Sequence, residues 1–352
     1  MNHSEYMGRC LQLAQMGEGY VRPNPMVGAL LLHEDRIIGE GYHQQYGEPH
    51  AEVNCFNAVA PADKHLIKDS TLYVSLEPCA HWGKTPPCAD LIIAQKPARV
   101  VIACRDIFSK VNGQGIQKIK DAGIEVVEGV LEKEATALNK RFFYFHQFRL
   151  PYIVLKWAQT ADGFIARKNG APLAISNAIT NCLVHKMRAQ EAAIMVGYGT
   201  ALHDNPQLSL RHWPGRHPIR IVLDKALRLP DASHIKNNNA PVIIVNAQQQ
   251  FNEGHIQYVK MDWENNIVPA LLPILHQLNV QSVLVEGGQK LLQSFIDTGL
   301  WNEAYCITNT SLNIKEGIAA PGFTGKAEAY RHFNIGSDAI VHFLNQQNSG
   351  IL

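Results

Sequence analysis

The sequence lacks any long apolar segment and any excess of one charge. No run in its 352 residues reaches the ~18 consecutive apolar residues of a membrane-spanning helix. The polar start, Met1–Glu5, has neither the basic nor the apolar region of a signal peptide. Lys and Arg number 32 and Asp and Glu 31, so the net charge of +1 gives no general attraction to nucleic acid or membrane. We therefore expect a cytoplasmic protein that acts on a small molecule, and a homo-oligomer is compatible with this composition.

A disulfide framework and the common nucleotide-binding motifs are also missing. Seven cysteines, an odd and scattered set, favour thiols or metal ligands in a reducing compartment. No Gly-x-Gly-x-x-Gly follows a predicted strand, and no Walker-type phosphate loop occurs. The cysteines are Cys10, Cys55, Cys79, Cys88, Cys104, Cys182 and Cys306.

Length and segment order predict two α/β domains. At roughly 100–200 residues per domain, a chain of this length favours two. Predicted helices and strands alternate in both halves, which is typical of sheets with parallel pairing. Leu150-Pro151 interrupts the pattern. We therefore expect domains over residues 1–147 and 148–352.

Individual elements follow from apolar spacing and from helix-breaking residues. We expect helices over 50–59, 86–95 and 132–148, and a buried strand over 71–76. A last strand over 339–344 is expected at a sheet edge or in a hairpin.

The strongest chemical signal is His50-Ala51-Glu52, followed by Pro78-Cys79 and Cys88. One imidazole and two thiolates give zinc three protein ligands and leave the fourth position for water, as catalytic zinc requires. Zinc lowers the pKa of bound water towards ~7, so hydroxide exists at neutral pH. Glu52 can take up the proton of that water and return it to a leaving amine. This arrangement, with the carboxylate as proton shuttle, is typical of zinc deaminases.

The segment between the two cysteines is longer than the two residues of the common deaminase pattern. Eight residues, 80–87, separate them. His81 and Lys84 could receive a phosphate, and Thr85 could donate a hydrogen bond to it. Alternatively, His81 could complete a structural zinc site, which usually has four protein ligands. That alternative would leave Glu52 unexplained.

Four motifs of the first half together resemble the deaminase half of the bifunctional riboflavin-biosynthesis deaminase/reductase family. The resemblance implies a cytidine-deaminase-like three-layer fold and deamination of 2,5-diamino-6-(5-phosphoribosylamino)pyrimidin-4-one. It implies that His50, Cys79 and Cys88 bind Zn²⁺ and that Glu52 shuttles protons. Substrate contacts are expected from Asn24, His81 and Lys84. The motifs are Pro23-Asn24-Pro25-Met26-Val27-Gly28, Gly39-Glu40-Gly41-Tyr42-His43, Gly47-Glu48-Pro49-His50-Ala51-Glu52 and the run from Leu76 to Cys88.

The second half is similar to the reductase half of the same family. The resemblance implies a dihydrofolate-reductase-like α/β fold and NADPH-dependent reduction of the ribosyl group to ribityl. The residues expected to face NADPH are Gln159, Thr200, Asp204 and Gly288. The residues expected to line the substrate site are Lys156, Ser176, Arg188, Leu208, Arg211 and Glu286. The matching stretches are Lys156-Trp157-Ala158, Asp162-Gly163, Met187-Arg188-Ala189, Val196-Gly197-Tyr198-Gly199-Thr200, the run from Asp204 to Arg211, the run from Pro218 to Asp224, and Val285-Glu286-Gly287-Gly288.

Physical arguments support some of these roles. Arginines bind phosphate through a forked, charge-assisted contact, which suits a ribose phosphate. Lys156 stands in an otherwise apolar strand, where an unpaired charge would be unfavourable.

Two stretches depart from the family pattern: Ala171-Pro172-Leu173-Ala174 carries few polar groups, and Asp204-Asn205 replaces a pair of aspartates.

Two other functions are compatible with parts of the sequence. One is a zinc deaminase of another nucleoside or of a tRNA base, joined to a C-terminal domain that is not a reductase. The near-neutral charge and the long segment between the cysteines oppose the tRNA version. The other is a zinc-stabilised binding protein. Replacement of Glu52 separates that class from an enzyme, because a structural zinc site has no activity to lose.

Overall fold

The computed structural model describes residues 2–82, 86–107, 113–237, 240–263, 266–323 and 327–346. Contacts between residues divide the chain into two compact units, and the boundary lies between Phe148 and Arg149. No helix in the described part is long and apolar enough to cross a membrane.

The first unit is built on a five-stranded sheet in the order β2-β1-β3-β4-β5. Strands β1 (Gly28–His33) and β2 (Arg36–Tyr42) form an antiparallel pair, and β1 is also antiparallel to β3 (Thr71–Val74). β3, β4 (Arg99–Ile102) and β5 (Glu125–Glu128) are parallel. The helices are α1 (His3–Gln15), α2 (Ala51–Asn57), α3 (Cys88–Gln95), α4 (Gln114–Asp121), α5 (Glu132–Leu138) and α6 (Lys140–Phe148), with a 3₁₀ helix over Pro61–Asp69.

Helices cover both faces of this sheet, and successive strand residues contribute to opposite faces. One face packs against α2, α3 and α4 through an apolar cluster that includes Leu31, Cys55 and Ile92. The opposite face packs against α1, α5 and α6 through a cluster that includes Leu30 and Phe142. Because successive strand residues point to opposite faces, Leu30 and Leu31 belong to different layers. The result is a three-layer α/β unit.

One helix differs from the sequence-based expectation. The single helix predicted over 132–148 is interrupted at Asn139, and α5 and α6 lie on either side of it. The buried Asn139 side chain binds the backbone of Met26, accepting from its N–H at 2.8 Å and donating to its C=O at 2.9 Å. This tertiary contact overrides the local helical pattern.

The second unit is built on a ten-stranded sheet in the order β11-β12-β10-β9-β8-β13-β6-β14-β17-β16. The strands of this sheet are β6 (Tyr152–Thr160), β8 (Ala193–Gly197), β9 (Ile219–Leu223), β10 (Val242–Asn246), β11 (Phe251–Glu253), β12 (Ile256–Lys260), β13 (Ser282–Gly287), β14 (Glu303–Asn309), β16 (Glu328–Ile335) and β17 (Asp338–Leu344). Two further strands, β7 (Phe164–Ala166) and β15 (Ile318–Ala319), form a separate two-stranded antiparallel sheet. The helices of the second unit are α7 (Ala178–Gln190), α8 (Tyr198–Asp204), α9 (Ile267–Gln277) and α10 (Gln289–Thr298).

The centre of this sheet is parallel and buried on both faces. The seven strands from β12 to β14 pair in parallel. α9 and α10 cover one face, and α7 and α8 lie on the other. β17 pairs with both β14 and β16 and forms a hairpin with β16, so the outer strand is β16. Both units therefore have the α/β architecture that the sequence predicts.

Candidate functional site

Three predicted metal ligands converge in the first unit. His50 directly precedes α2, Cys88 is the first residue of α3, and Cys79 lies beyond the end of β3. One potential ligand atom from each residue lies within 4.8 Å of the other two. An imidazole with two thiols is a donor set that suits zinc. The described residues therefore fit a zinc ion, and His81 does not join this cluster.

The contacts among these ligands are short enough for a shared ion. The Nδ1 atom of His50 lies 3.3 Å from Sγ of Cys88 and 3.7 Å from Sγ of Cys79. Hydrogen bonds from Cys88 and His50 lower the pKa of Cys79 well below its ordinary value, which favours a thiolate at this position. The hydrogen bond to Cys79 and burial raise the pKa of Cys88 above its ordinary value, and repulsion by the negative charges of Glu52 and Cys79 adds to this shift. A bound cation removes that repulsion and favours both thiolates.

Glu52 lies beside this cluster and is buried. It belongs to the first turn of α2, two residues after His50, and its exposed fraction is 3%. Burial and the neighbouring Cys79 raise the pKa of its carboxyl group above the ordinary value. A carboxyl group with a raised pKa can both accept and release a proton near neutral pH.

Glycines in β2 allow α2 to approach the sheet closely. A Cβ atom added to Gly41 would lie 2.3 Å from the amide nitrogen of Cys55, and one added to Gly39 would lie 2.6 Å from the carbonyl oxygen of Cys55. These clashes involve backbone atoms, so any side chain would push α2 away from β2. The glycines thereby determine where His50 and Glu52 stand.

The three residues expected to contact substrate in this unit differ in how closely the structure places them to the metal ligands. The Nδ2 atom of Asn24 lies 3.1 Å from Nε2 of His43, and the His43 ring contacts the ring of His50 edge-on, with centroids 5.3 Å apart. His81 is half-buried on the segment after Cys79. Lys84 lies outside the described residues. The sequence analysis does not single out His43, although this residue contacts both Asn24 and His50 and stands in one of the motifs that carry the family resemblance.

A buried ion cluster occupies the second unit. Lys156 on β6 and Glu286 on the adjacent parallel strand β13 lie 3.6 Å apart, from Nζ to Oε2. Arg188 of α7 donates two hydrogen bonds of 2.7 Å to the two oxygens of Glu286. Burial alone would raise the pKa of Glu286, but the charges of Arg188 and Lys156 outweigh it and lower the pKa to about 2. The structure thus brings together three residues expected at the reductase substrate site.

Two neighbouring strand ends carry the residues expected to face a nucleotide. A Cβ atom added to Gly287 would lie 2.9 Å from Cγ2 of Thr200, and one added to Gly288 would lie 3.3 Å from its Oγ1. Gly288 has φ +75°, a left-handed backbone that favours glycine. β8 and β13 are adjacent and parallel, so these residues share the carboxyl edge of the sheet, where α/β proteins bind nucleotides. Asp204 is exposed at the end of α8.

The other residues expected at the reductase site each make their own contacts and are not part of the ion cluster. The Arg211 guanidinium donates to Gln207 at 2.9 Å, and its backbone N–H donates to Nδ1 of the buried His185 at 3.2 Å. Leu208 is buried and has a left-handed φ of 50°. The remaining expected residues are both half-buried: Gln159, which accepts from the Trp157 indole, and Ser176, which directly precedes the cap of α7.

Family models match both units. The model described as "cytidine and deoxycytidylate deaminase zinc-binding region" matches residues 1–104. The model described as "RibD C-terminal domain" matches residues 151–311.

Curated relatives and solved structures cover almost the whole chain. The riboflavin biosynthesis protein RibD of Aquifex aeolicus is 36% identical over 351 residues, covering 96% of this chain and 97% of the relative. RibD of Escherichia coli is 34% identical over 330 residues, covering 86% of each. The crystal structure of a diaminohydroxyphosphoribosylaminopyrimidine deaminase/5-amino-6-(5-phosphoribosylamino)uracil reductase from Thermotoga maritima has a TM-score of 0.86 and 34% identity, covering 97% of this chain and 98% of that chain.

The fold and the two sites define the class of deaminase–reductase enzymes, in which a zinc-binding deaminase domain precedes a reductase domain. The chain belongs to the RibD family of riboflavin biosynthesis proteins. It is therefore a bifunctional enzyme, a hydrolase and an oxidoreductase, in riboflavin biosynthesis. These comparisons confirm the predicted family. They also confirm the predicted folds, a cytidine-deaminase-like first unit and a dihydrofolate-reductase-like second unit.

The ion cluster of the second unit leads to a pH-dependent prediction. Replacement of Glu286 by Gln leaves Lys156 and Arg188 buried without their counter-charge, which should lower the free energy of unfolding by about 3–5 kcal/mol. The folded-state pKa of about 2 lies below the ordinary value of 4.5, so the carboxylate contributes stability above pH 4.5, and this is lost as the pH falls towards 2. Urea unfolding of both proteins at neutral and at acidic pH measures the difference.

An exposed ion pair provides the matched control. Lys168 and Glu316 lie 3.3 Å apart with side chains 66% and 75% exposed. Glu316→Gln should change the free energy of unfolding by less than about 1 kcal/mol. Two results would contradict the conclusion that Glu286 is the buried counter-charge of Lys156 and Arg188. One is that Glu286→Gln changes the free energy of unfolding as little as Glu316→Gln does, and the other is a change that does not diminish at acidic pH.

Proposed function

We propose that this enzyme deaminates 2,5-diamino-6-(5-phosphoribosylamino)pyrimidin-4-one and then reduces the ribosyl group of the product with NADPH. The observation that carries the first activity is the convergence of His50, Cys79 and Cys88 beside the buried carboxyl group of Glu52. The Thermotoga maritima structure at 34% identity bears the name of this deaminase and reductase, which supports the substrate assignment.

The deaminase chemistry requires an activated water and a proton carrier. His50, Cys79 and Cys88 would hold zinc, which when bound supplies Lewis-acid activation of water at neutral pH. In the hydrolysis, a C–O bond forms at the ring carbon that carries the amino group, and the C–N bond breaks to release ammonia. Glu52 takes the proton from the water and delivers it to the departing nitrogen. Its burial suits this task because it raises the pKa of the carboxyl group.

Asn24, His81 and Lys84 are proposed to bind the substrate of this step. The contact of Asn24 with His43, and of His43 with the His50 ring, supports a position for Asn24 beside the metal ligands. His43 also contacts the carbonyl oxygen of Pro49 through Nδ1 at 3.1 Å. We propose that His43 also belongs to this site, because its contacts with Asn24 and His50 fix the relative positions of these two side chains.

The reductase chemistry is proposed for the carboxyl edge of the second sheet. NADPH, when bound, would supply a hydride to the ribosyl C1 of the deaminated product. A C–H bond forms at C1, the bond between C1 and the ring oxygen breaks, and that oxygen takes a proton to become a hydroxyl group of the ribityl chain. Lys156, Arg188 and Glu286 form a fixed polar group in which the cations outnumber the carboxylate, and this favours an anionic substrate such as a ribose phosphate. We propose that Ser176, Leu208 and Arg211 also line the substrate site, and that Gln159, Thr200, Asp204 and Gly288 face NADPH.

We further propose that residues 1–147 carry the deaminase activity and residues 148–352 the reductase activity. None of the seven cysteines forms a disulfide, and two of them are proposed metal ligands, which supports a reducing compartment such as the cytoplasm. Nothing in the near-neutral charge favours nucleic acid as a partner.

Glu52→Gln tests the deaminase assignment. The amide keeps the size of the side chain but cannot carry the proton, so ammonia release should fall by at least about 100-fold, the usual contribution of a general acid–base group. The variant should retain its zinc and its NADPH oxidation on deaminated substrate. Zinc content by metal analysis and ammonia release measure the two effects.

The exposed Glu48 provides the control for this experiment. Glu48→Gln makes the same chemical change four residues away and should leave ammonia release unchanged. Normal turnover in Glu52→Gln would remove the assigned role, and loss of zinc together with activity would indicate a ligand or structural role instead.

Asp204→Ala tests the reductase assignment. Loss of this carboxylate should weaken NADPH binding and slow NADPH oxidation by about tenfold or more, which corresponds to about 1.4 kcal/mol, while ammonia release stays unchanged. Steady-state oxidation of the reduced cofactor, followed with deaminated substrate, measures the effect. Equal loss of both activities would indicate a folding defect, and unchanged NADPH oxidation would exclude Asp204 from the cofactor site.

A further inference from the structure

Glu77 is a buried carboxylate of the first unit that the proposed chemistry does not use. It stands two residues before the metal ligand Cys79, and its exposed fraction is 4%. A buried charge is unfavourable unless hydrogen bonds compensate for it. Its surroundings therefore show what this side chain does.

Four backbone N–H groups converge on the Glu77 carboxylate. Oε2 accepts from Asp106 at 3.2 Å and Gly113 at 2.9 Å. Oε1 accepts from Gly115 at 3.0 Å and Ile116 at 3.3 Å. The last three donors lie at the start of α4, where the first N–H groups of a helix have no partner within the helix. The carboxylate thus satisfies the start of α4 and joins it to the segment after β4.

The start of α4 also touches the backbone that leads to Cys79. A Cβ atom added to Gly115 would lie 1.9 Å from the carbonyl oxygen of Pro78. Residue 115 therefore must be glycine for α4 to lie at this distance. The Glu77 N–H donates to the carbonyl oxygen of Cys104 at 3.0 Å. Residues 77 and 78 are held between α4 and the end of β4.

Cys79 continues this chain of contacts to the other metal ligand. Its carbonyl oxygen accepts from the Ala89 N–H at 3.1 Å, and its sulfur accepts from the Cys88 N–H at 3.3 Å. The backbone from residue 77 to residue 79 thus connects the start of α4 to the start of α3. A shift of Glu77 would move the sulfur of Cys79 relative to Cys88 and His50.

We propose that Glu77 is a positioning residue of the deaminase, which anchors the start of α4 so that the Cys79 sulfur is held at the metal. This inference rests on the proposed zinc site. A carboxylate that only capped α4 would make the same four hydrogen bonds but would leave metal geometry and affinity unchanged when replaced. Metal geometry and metal affinity therefore distinguish a positioning role from a capping role.

Glu77→Gln tests the proposal with little change of shape. Its NH₂ group would face two backbone N–H donors in place of an acceptor oxygen, so two of the four hydrogen bonds are lost. With cobalt(II) in place of zinc in the full-length protein, we expect a changed visible spectrum, which reports ligand geometry. Zinc affinity in competition with a chelator should fall about tenfold, the usual effect of altering residues that support metal ligands. The deaminase kcat should fall with little change in KM.

Two further variants make the outcome decisive. Glu134→Gln removes the same charge from an exposed position in α5 and should leave the cobalt spectrum and zinc affinity unchanged. Gly115→Ala displaces α4 from Pro78 without changing any charge and should alter the cobalt spectrum as Glu77→Gln does. If Glu77→Gln does not fold, Gly115→Ala decides the question in its place.

The proposal is overturned if folded Glu77→Gln and Gly115→Ala both keep the wild-type cobalt spectrum and zinc affinity. Failure of the proposed function gives a different result, because the unmodified protein would then bind no zinc or release no ammonia.

Discussion

The first unit depends on bringing two cysteine sulfurs and an imidazole within 4.8 Å of one another. Two thiolates at this distance repel each other, and the hydrogen bond between Cys79 and Cys88 shifts their pKa values in opposite directions. The fold must therefore hold them in place until a cation compensates for the charge. It does so by placing Cys88 at the start of one helix and His50 just before another, over a sheet buried on both faces. Glycines at 39 and 41 bring α2 close enough for this arrangement.

The second unit meets a similar electrostatic problem with a cluster of charged side chains. Lys156, Arg188 and Glu286 compensate for one another's charge, and the forked Arg188 contact fixes the geometry. The two cations exceed the single carboxylate, so the cluster keeps a net positive charge beside the central strands β6 and β13. Buried charges in both units are thus held by partners from different elements. This arrangement makes each site dependent on the correct packing of its layers.

Much of this architecture could be predicted from the sequence, because local signals coincide with the tertiary structure there. The strand expected over 71–76 is β3 (Thr71–Val74), and the helix expected over 86–95 begins at Cys88. The motif His50-Ala51-Glu52 and the cysteines identified the donor set that the structure brings together. Here the chemistry requires particular residue types, so the pattern is specific.

The remaining features depend on contacts between residues distant in sequence. Asn139 interrupts a helical pattern because its side chain binds Met26, 113 residues away. Most side chains of β16 are exposed, so it lacks the apolar alternation that reveals strands. Glu77 falls within the motif from Leu76 to Cys88, but the role of its side chain is not visible there because its four donors lie 29–39 residues further along the chain. No local pattern in the sequence carries these partnerships.

The central claim is that one chain releases ammonia at the first unit and then oxidises a reduced nicotinamide cofactor at the second. The most direct measurement supplies the purified protein with the phosphoribosylamino-diaminopyrimidine, with and without NADPH, and follows ammonia and cofactor absorbance together. We expect ammonia in both conditions, and NADPH oxidation only after ammonia has appeared. Absence of ammonia, or ammonia without oxidation of either NADPH or NADH, would contradict the claim of two activities in this chain.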